Sequence, residues 1–497
     1  MKHVKKLASV LLAMVMVMAM TMTAFAATAD LTNHTYKAYQ IFSGTQADEQ
    51  DELAQIEWGD GVNGAALLEA LRKAGDVYNN CTTAADVAAK LGEEGADADG
   101  FAKIAYKHII SDKGIVVVNG QTELEAGYYL VVDETSFESD ATNTVKNLAL
   151  LQLTNKGPFD IQNKTSIPEV EKKVQDINDS TDSGKGELQD SADYDIGDKV
   201  PFTLTGTLPS NYADYDTYKY VFHDTLSEGL TYDKDTVKVY VVSDSEETEI
   251  TSSFTIKLEN NSLTISCNDL KSIENVTIDS NSKIVVRYTA TLNDEAKVGY
   301  EGNPNTVYLE YSNNPNNSGE GDTDNTGKTP EDKVIVFTYK VVVNKVDGKQ
   351  NPLTGAGFTL YKKKAAGEYV KVGEELTGNE MTTFTWSGLD DGDYKLSETT
   401  TPDGYNTIAD IYFKVTAAHD ITSDDPTLTS LSGDVTTGEV TFTSNTSAGS
   451  LTTDVVNQSG STLPETGGMG TTIFYVIGSI LVLGAAVVMI TRKRMAK

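Results

Sequence analysis

The sequence predicts a mainly β protein, with tandem β-sandwich domains that follow an α+β N-terminal domain between two apolar terminal segments. Alternation of apolar and polar residues with a period of two recurs beyond residue 168, as in Lys283–Leu292 and Val307–Tyr311. A helical apolar period is instead confined to Asn63–Ile110. The roughly 440 residues between the apolar ends predict two to four domains from length alone.

The first apolar segment is typical of a secretory signal peptide. Residues 1–26 combine three early lysines with an apolar stretch and end in Ala24-Phe25-Ala26, the small-x-small pattern of a cleavage site. We therefore expect the mature chain to begin near Ala27.

Composition restricts the classes of function. The signal peptide and the C-terminal tail contain seven of the 40 basic residues and none of the 73 acidic ones, which leaves 33 against 73, a net charge of −40. This charge argues against nucleic acid as a partner and favours a self-repelling, soluble surface.

Cys81 and Cys267 provide no disulfide framework. Because no histidine or cysteine has metal-ligand spacing, we expect no metal, no cofactor and no turnover enzyme.

The first domain is predicted over residues 28–165. Asn63 and Thr83 are candidate helix caps, and Gly75 and Gly92 are expected to end the first two helices. Strand-like runs flank this helical insert at His34–Phe42, Ile115–Val118, Tyr128–Val132 and Leu148–Leu153. The combination predicts an α+β domain.

The two later domains are predicted over residues 168–312 and 333–458. Each has the size and the alternation of an immunoglobulin-like sandwich. Residues 313–332 between them are rich in Asn, Gly, Asp and Thr, which predicts a linker or a long loop.

Polar residues occupy core-facing positions in the last domain. Lys345 shares its strand face with Val341 and Val343, Glu398 with Tyr394 and Leu396, and Asn457 with Val455. Burial of an unpaired lysine, acid or amide costs several kcal/mol, so a shared site is one explanation. The alternative is that these are edge positions whose polar tips reach water.

The C-terminus carries a sorting signal. Leu463-Pro464-Glu465-Thr466-Gly467 precedes an apolar run over 473–490 and a basic tail over 491–497. An 18-residue helix is about 27 Å long, close to the roughly 30 Å hydrocarbon core of a bilayer, so we expect a transmembrane helix with the tail on the cytoplasmic side. The pentapeptide resembles the LPxTG motif of Gram-positive cell-surface proteins. That resemblance implies cleavage by a sortase between Thr466 and Gly467.

A second motif connects the last domain to a family. Residues 394–405, YKLSETTTPDGY, resemble the E-box of Gram-positive pilins, YxLxETxAPxGY, with Thr401 in place of alanine, and NPLTGAGFTL (351–360) resembles the start of their Cna B-type domains. In that family a lysine on the first strand condenses with an asparagine on the last strand, beside an acid, to form an intramolecular isopeptide bond. The resemblance therefore implies a Lys345–Asn457 bond with Glu398 as the proton shuttle.

The middle domain repeats this placement. Lys172 shares a strand face with Val170 and Val174. On the last strand-like run, Asn305 shares its face with Val307, Leu309 and Tyr311. The segment YVFHDTLSEGLTY resembles the acid-bearing strand of the fimbrial D2 domain in backbone pilins, which implies Asp224 as the acid of a Lys172–Asn305 bond. Asp195 is the alternative acid, and a cap or turn role for Asp224 also stays open.

Polymerisation requires an exposed lysine that accepts Thr466 of another subunit. Backbone pilins carry it in a motif such as WxxxVxVYPK, whereas this chain reads Phe159-Asp160-Ile161-Gln162-Asn163-Lys164 at that place. Position favours Lys164, with Lys156 as the alternative. The first domain lies outside the load path from this lysine to Thr466, so we expect it to need no crosslink.

These observations predict a structural shaft subunit of a sortase-assembled pilus anchored in the wall of a Gram-positive bacterium. The predicted partners are pilus-specific and housekeeping sortases, further copies of the chain, and peptidoglycan, with companion pilins and a host ligand left open. The alternatives are a wall-anchored adhesin and a minor or basal pilin that is not polymerised.

Overall fold

The computed structural model describes residues 27–46, 53–93, 95–138, 141–154, 161, 163–181, 186–243, 246–316, 326–460 and 470–495. These residues form an α+β domain, two β-sandwiches and a C-terminal helix. The predicted signal peptide, Lys156 and the LPETG motif lie outside the described residues.

The first domain packs three helices against an antiparallel sheet. Its elements are β1 (Ala27–Thr28), β2 (Tyr36–Gln46), β3 (Leu53–Trp58), α1 (Gly64–Ala74), α2 (Ala84–Leu91), α3 (Ala98–Tyr106), β4 (Ile115–Val117), β5 (Gly127–Asp133) and β6 (Leu150–Thr154). The sheet order is β3-β2-β5-β6, with β4 also paired to β2. Leu67, Leu71 and Phe101 from the helices pack on Tyr39 and Leu130 from the sheet.

The helix boundaries follow from the predicted caps. Asn63 accepts a hydrogen bond from the Ala66 amide at 3.2 Å, and Thr83 forms a reciprocal capping box with Asp86. Gly75 and Gly92 are the C-terminal caps of α1 and α2. The predictions for these caps and helix ends are therefore confirmed.

The middle domain is a sandwich of two seven-stranded sheets. Its strands, with β7 paired back to β1, are β7 (Ser166–Ile167), β8 (Val170–Gln175), β9 (Leu188–Gln189), β10 (Ser191–Asp193), β11 (Lys199–Gly206), β12 (Tyr220–Leu226), β13 (Leu230–Tyr232), β14 (Lys238–Ser243), β15 (Glu246–Glu249), β16 (Thr255–Glu259), β17 (Ser262–Cys267), β18 (Lys283–Leu292), β19 (Asn303–Ser312), β20 (Thr326–Lys328) and β21 (Asp332–Phe337). Sheet A has the order β10-β21-β19-β12-β17-β16, with β20 on β19. Sheet B has the order β15-β14-β18-β11-β8-β9, with β13 on β18. Phe202, Phe222, Tyr288 and Leu309 contribute to the core between them.

The last domain is a smaller sandwich. Its strands are β22 (Tyr339–Asp347), β23 (Gly357–Lys363), β24 (Tyr369–Lys371), β25 (Leu376–Thr377), β26 (Thr383–Leu389), β27 (Gly392–Thr400), β28 (Ile411–His419), β29 (Leu428–Thr437), β30 (Thr443–Asn445) and β31 (Ser450–Asn457). Sheet C has the order β26-β22-β31-β30, and its first and last strands, β22 and β31, run parallel. Sheet D has the order β24-β23-β27-β28-β29, with β25 on β23. Phe358, Trp386, Phe413 and Leu451 lie in the core.

The boundary between the sandwiches differs from the expected one. Within the predicted linker, β20 pairs with β19. Strand β21, which begins at the last residue of that linker and was assigned to the last domain, pairs with both β19 and β10, so the last sandwich begins at Tyr339. The Asn-rich start of the linker is also ordered, because Asn316 donates to the Asn147 carbonyl at 2.8 Å and accepts from the Ala149 amide at 2.6 Å. The Asn316 side chain thus satisfies two backbone groups of the first domain.

The final element is α4 (Gly470–Met495), which includes the predicted span over 473–490. Across the described parts of the chain, no helix has both the length and the apolar character needed to cross a membrane.

Candidate functional site

Strand alternation places Lys172 inside the middle sandwich. In β8, Lys172 and Val174 are fully buried, whereas Lys173 points away and pairs with Asp190. The Lys172 ammonium lies 5.4 Å from the centre of the Phe202 ring. The face predicted for Lys172 is therefore the observed one, and the charged end of a lysine lies in an aromatic core.

Four buried side chains meet at the Lys172 end. Lys172 Nζ donates to the Asp224 carboxylate and lies 3.3 Å from the Tyr288 hydroxyl. That hydroxyl donates to Asp224 Oδ1 at 2.9 Å and accepts from Asn305 Nδ2 at 2.7 Å. Lys172, Asp224 and Asn305 are each 0% exposed. Lys172, Asp224 and Asn305 are thus connected through the Tyr288 hydroxyl, which donates one hydrogen bond and accepts two.

Burial changes the acid–base properties of the pair. Burial lowers the pKa of Lys172, opposed by the Asp224 charge, and burial raises the pKa of Asp224, opposed by the Lys172 charge. Both shifts favour the neutral forms, because a low-dielectric core disfavours isolated charges. A neutral amine is a nucleophile and a neutral carboxyl is a proton donor.

The second site uses the parallel pairing of β22 and β31. Lys345 lies opposite Val455 in that register, and Val455 and Asn457 point to the same face, so both polar side chains enter the core. Lys345 and Asn457 are 0% exposed, and Glu398 on β27 is 7% exposed. The edge-position alternative therefore does not describe these residues.

The contacts in this second site differ in detail from the expectation. Asn457 Nδ2 donates to Glu398 Oε1 at 2.8 Å and Oε2 at 3.1 Å, and also to the Asn406 carbonyl at 3.0 Å. A proton shuttle at Glu398 has to donate to the Asn457 carbonyl oxygen, whereas the amide nitrogen faces the acid here. A half-turn of the carboxamide about its Cβ–Cγ bond exchanges the two atoms.

The Lys345 amine is held by backbone. Lys345 Nζ donates to the carbonyls of Val346 at 3.1 Å and Val455 at 3.0 Å. Burial lowers the pKa of Lys345 to about 8, although the Glu398 charge nearby opposes the shift. A substantial fraction of this amine is therefore neutral near physiological pH.

The two asparagine carbonyls share one feature. Asn305 Oδ1 and Asn457 Oδ1 are buried, and neither has a hydrogen-bond partner among the described residues. An unsatisfied buried acceptor costs about 1–3 kcal/mol. Each site thus combines a buried amine, a carboxyl group and an amide carbonyl that is open to a proton donor.

The other predicted residues lie elsewhere. Asp195 contacts Lys362 Nζ at 2.7 Å near the last domain, so Asp224 is the acid at Lys172. The Lys164 side chain is 45% exposed and lies 3.4 Å from Asp99. None of the first-domain lysines that the structure describes is buried.

Tyr288 is the member of the middle-domain cluster that the sequence interpretation missed. It appears only as one inward position of the alternating strand β18. A polar-tipped tyrosine among Ile284, Val286 and Ala290 is the signal that could have identified it, because a buried Tyr hydroxyl usually has a partner.

Comparison with protein families gives three matches. Residues 196–315 match a Gram-positive pilin backbone subunit 2, Cna-B-like domain. Residues 339–427 match a prealbumin-like fold domain, and residues 455–497 match the LPXTG cell wall anchor motif. The second match begins at the first strand of the last sandwich.

Individual proteins are also similar to this chain. The trypsin-resistant surface T6 protein of Streptococcus pyogenes serotype M6 is 29% identical over 403 residues, 67% of this chain and 70% of the relative. The solved T6 backbone pilin of serotype M6 S. pyogenes has a TM-score of 0.51 at 19% identity and covers 88% of this chain and 98% of its own. The group B streptococcus pilus 2b backbone protein has a TM-score of 0.39 at 22% identity, covering 55% and 97%.

Proposed function

We propose that isopeptide bonds Lys172–Asn305 and Lys345–Asn457 close the two sandwiches of this chain, which is a Gram-positive backbone pilin with an LPXTG cell wall anchor and a structural subunit of a pilus shaft. The observation that carries the proposal is the convergence of a fully buried lysine, an acid and a fully buried asparagine in each sandwich. Left unreacted, such groups are costly, because a buried charge loses its hydration. Condensation removes both the amine and the primary amide.

In the middle domain, the neutral Lys172 amine attacks Cγ of Asn305. Protonated Asp224 donates its proton to the carbonyl oxygen, and the resulting carboxylate transfers the amine proton to the departing nitrogen. As the C=O bond re-forms, the oxygen returns its proton to Asp224, which ends in its starting form. The C–N bond to Lys172 forms, the C–N bond to the asparagine nitrogen breaks, and one ammonia leaves. Tyr288 is a positioning residue, since its hydroxyl holds both Asp224 and the Asn305 amide.

In the last domain, Lys345 attacks Asn457 and Glu398 performs the proton transfers. The Ile408 amide donates to Glu398 Oε2 at 3.0 Å, which fixes the carboxyl beside the amide. The reaction has the same atom balance and requires no cofactor. Each bond forms once per molecule, so these residues modify their own chain.

Intact-mass measurement of the full chain tests the two bonds. We expect a mass deficit of two ammonia molecules, reduced to one in Asp224→Asn and to one in Glu398→Gln. Asp195→Asn is the matched control and should keep both losses. A wild-type mass that retains every ammonia would contradict the proposal.

Sortase processing and polymerisation follow from the backbone-pilin class and the anchor motif. We infer that Lys164 accepts Thr466 of the next subunit, that the signal peptide directs export, and that the segment over 473–490 holds the precursor in the membrane until peptidoglycan attachment. An exposed amine paired with one surface carboxylate supports this choice, because such an ion pair is weak and opens readily.

Substitution of Lys164 tests whether this lysine forms the bond to Thr466 of the next subunit. Lys164→Arg keeps the charge and the pairing to Asp99 but is expected to abolish the high-mass ladder in cell wall extracts, while Lys146→Arg leaves it intact. An unchanged ladder in Lys164→Arg would move the assignment to Lys156 or to a non-polymerised pilin.

A further inference from the structure

Lys164 lies on a segment whose backbone is held by side chains on both sides. The Lys164 amide donates to Asn147 Oδ1 at 3.1 Å, and the Thr165 amide donates to Asn163 Oδ1 at 2.9 Å. Strand β7 follows directly and pairs with β1. The Lys164 side chain is nevertheless 45% exposed. An accessible amine is therefore carried on a fixed stretch of backbone.

Asn147 is the buried attachment of this segment. It is 1% exposed, its own amide donates to Asp133 Oδ2 at 2.8 Å, and its carbonyl accepts from Asn316 Nδ2 at 2.8 Å. Asp133 ends strand β5 of the first domain, whereas Asn316 lies in the segment that follows β19 of the middle domain. Groups from both domains thus fix Asn147, and its side-chain oxygen is a rigid acceptor for the Lys164 amide.

Asn163, directly before Lys164, makes the second attachment. Its Oδ1 accepts from the Thr165 amide in an Asx turn, and its Nδ2 donates to the Ala29 carbonyl at 2.9 Å. Ala29 is 6% exposed and packs in the core of the middle sandwich, so this carbonyl is itself well fixed. Because Asn163 is exposed, its side chain contributes these hydrogen bonds and not core packing.

The ion pair of Lys164 does not supply comparable positioning. Lys164 Nζ lies 3.4 Å from Asp99 Oδ1 in the first turn of α3, and the Asp99 side chain is 54% exposed. Exposed ion pairs are weak, and a lysine amine sits on a flexible four-carbon stem. The backbone is therefore the part of Lys164 that the fold can hold in place while the amine enters an enzyme.

We propose that Asn163 is a positioning residue for Lys164 in subunit transfer, with Asn147 holding the same backbone from the buried side. The inference rests on the proposed function of Lys164 as the acceptor of Thr466. In that transfer a C–N bond forms between Lys164 Nζ and the Thr466 carbonyl carbon, the acyl bond to the sortase breaks, and the amine proton goes to the leaving group. Misplacement of a reacting group by about 1 Å can slow a reaction by about 100-fold.

Transfer from a synthetic LPETG peptide to the full chain, catalysed by its pilus sortase, tests this role. Every acceptor chain carries Thr466→Ala, so that it cannot act as a donor. We expect Asn163→Ala to lower kcat/KM for transfer by about tenfold or more, because the amine is no longer held in register with the acyl group. Acetylation of Lys164 by a small N-hydroxysuccinimide ester, measured by peptide mass mapping, should keep its wild-type rate.

Asn293→Ala is the matched control. Asn293 makes the same two kinds of bond, since its Oδ1 accepts from the Glu295 amide at 2.8 Å and its Nδ2 donates to the Glu228 carbonyl at 2.8 Å. These partners all lie in the middle sandwich, so Asn293→Ala should accept the peptide as wild type does. Asn163→Ala and Asn293→Ala should both keep the two ammonia losses, which shows that the sandwiches fold.

Unchanged transfer in Asn163→Ala, an equal loss in Asn293→Ala, or chemical acetylation that falls as far as transfer would overturn the positioning role. Lys164→Arg separates this role from the acceptor assignment. Transfer that persists in Lys164→Arg would overturn the assignment and this inference with it. Transfer that stops in Lys164→Arg but is unchanged in Asn163→Ala would overturn the positioning role alone.

Discussion

The two proposed crosslinking sites use the same three kinds of side chain in different topologies. In the middle domain, Lys172 lies on sheet B while Asn305 and Asp224 lie on sheet A, so the bond would connect the two sheets. In the last domain, Lys345 and Asn457 lie on neighbouring parallel strands of sheet C, and Glu398 reaches them from sheet D. The chemistry thus requires convergence of three groups and tolerates either arrangement.

The difference has mechanical and electrostatic consequences. A bond between sheets holds a sandwich together, whereas a bond between β22 and β31 carries tension between the terminal strands of one sheet. The middle site is also the more enclosed network, since Lys172 contacts Asp224 and Tyr288, while Lys345 contacts backbone carbonyls. Loss of the acid should therefore affect the two domains unequally.

The largest expected effect is that of Asp224→Ala. It prevents the crosslink, whose closure of a loop of more than about 100 residues stabilises by about 5 kcal/mol on the chain-entropy estimate. It also leaves Lys172 buried without its carboxylate, which costs about 3–5 kcal/mol more. Calorimetry of the full chain should show a greater fall in unfolding temperature than Glu398→Ala produces.

The exposed Asp294 provides the control for that comparison, and Asp294→Ala should unfold as wild type does. An equal or greater fall in Glu398→Ala would show that enclosure of the lysine does not distinguish the sites.

Tyr288→Phe sharpens the comparison. Among the described contacts of Lys345, Glu398 and Asn457 in the last domain, no tyrosine hydroxyl bridges the groups as Tyr288 does in the middle domain. Removal of the hydroxyl takes away the group that positions the Asn305 amide and Asp224. It also lowers the free energy of unfolding of the chain that has not yet formed the bond by about 1–3 kcal/mol. We expect incomplete ammonia loss in the middle domain and complete loss in the last domain, measured by peptide mass mapping.

Tyr220→Phe is the matched control, since Tyr220 is buried in the same core but donates to the Thr207 carbonyl at 2.7 Å. Complete crosslinking in Tyr288→Phe would remove Tyr288 from the mechanism.

A smaller effect is expected from pH in a chain that cannot form the second bond. With Asn457→Ala, the folded pKa of Lys345 is near 8 against 10.5 in the unfolded chain, so the unfolded state binds more protons between these values. The last domain should therefore gain stability as pH rises from about 8 to about 10.5, by on the order of 1–3 kcal/mol.

Thermal unfolding across this range measures the effect, and the double variant Asn457→Ala with Lys345→Met should lose it. A pH dependence that persists without Lys345 would assign the titration to another group.

Much of both sites could be predicted from local sequence. A strand has a side-chain period of two, so alternation alone placed Lys172, Lys345, Glu398 and Asn457 on inward faces, and their burial confirms those faces. Alternation could not choose between Asp224 and Asp195, because both follow strand-like residues. Only the packing of sheet A on sheet B brings Asp224 to Lys172.

Features that depend on long-range pairing could not be predicted. The run Val334–Phe337 has the composition of a first strand of the last domain, yet it completes sheet A beside β19. Asp195 and Lys362, which pair at the junction of the two sandwiches, lie 167 residues apart, so no local spacing indicates this contact. The Tyr288 hydroxyl likewise has three partners, which lie 17 to 116 residues away in the sequence.

Mass spectrometry of peptides from native cell walls tests the central claim most directly. After proteolysis, we predict one branched peptide that joins Lys172 to Asn305 and another that joins Lys345 to Asn457, each lighter by one ammonia than the sum of its two chains. Recovery of these four residues in unmodified linear peptides would contradict the account.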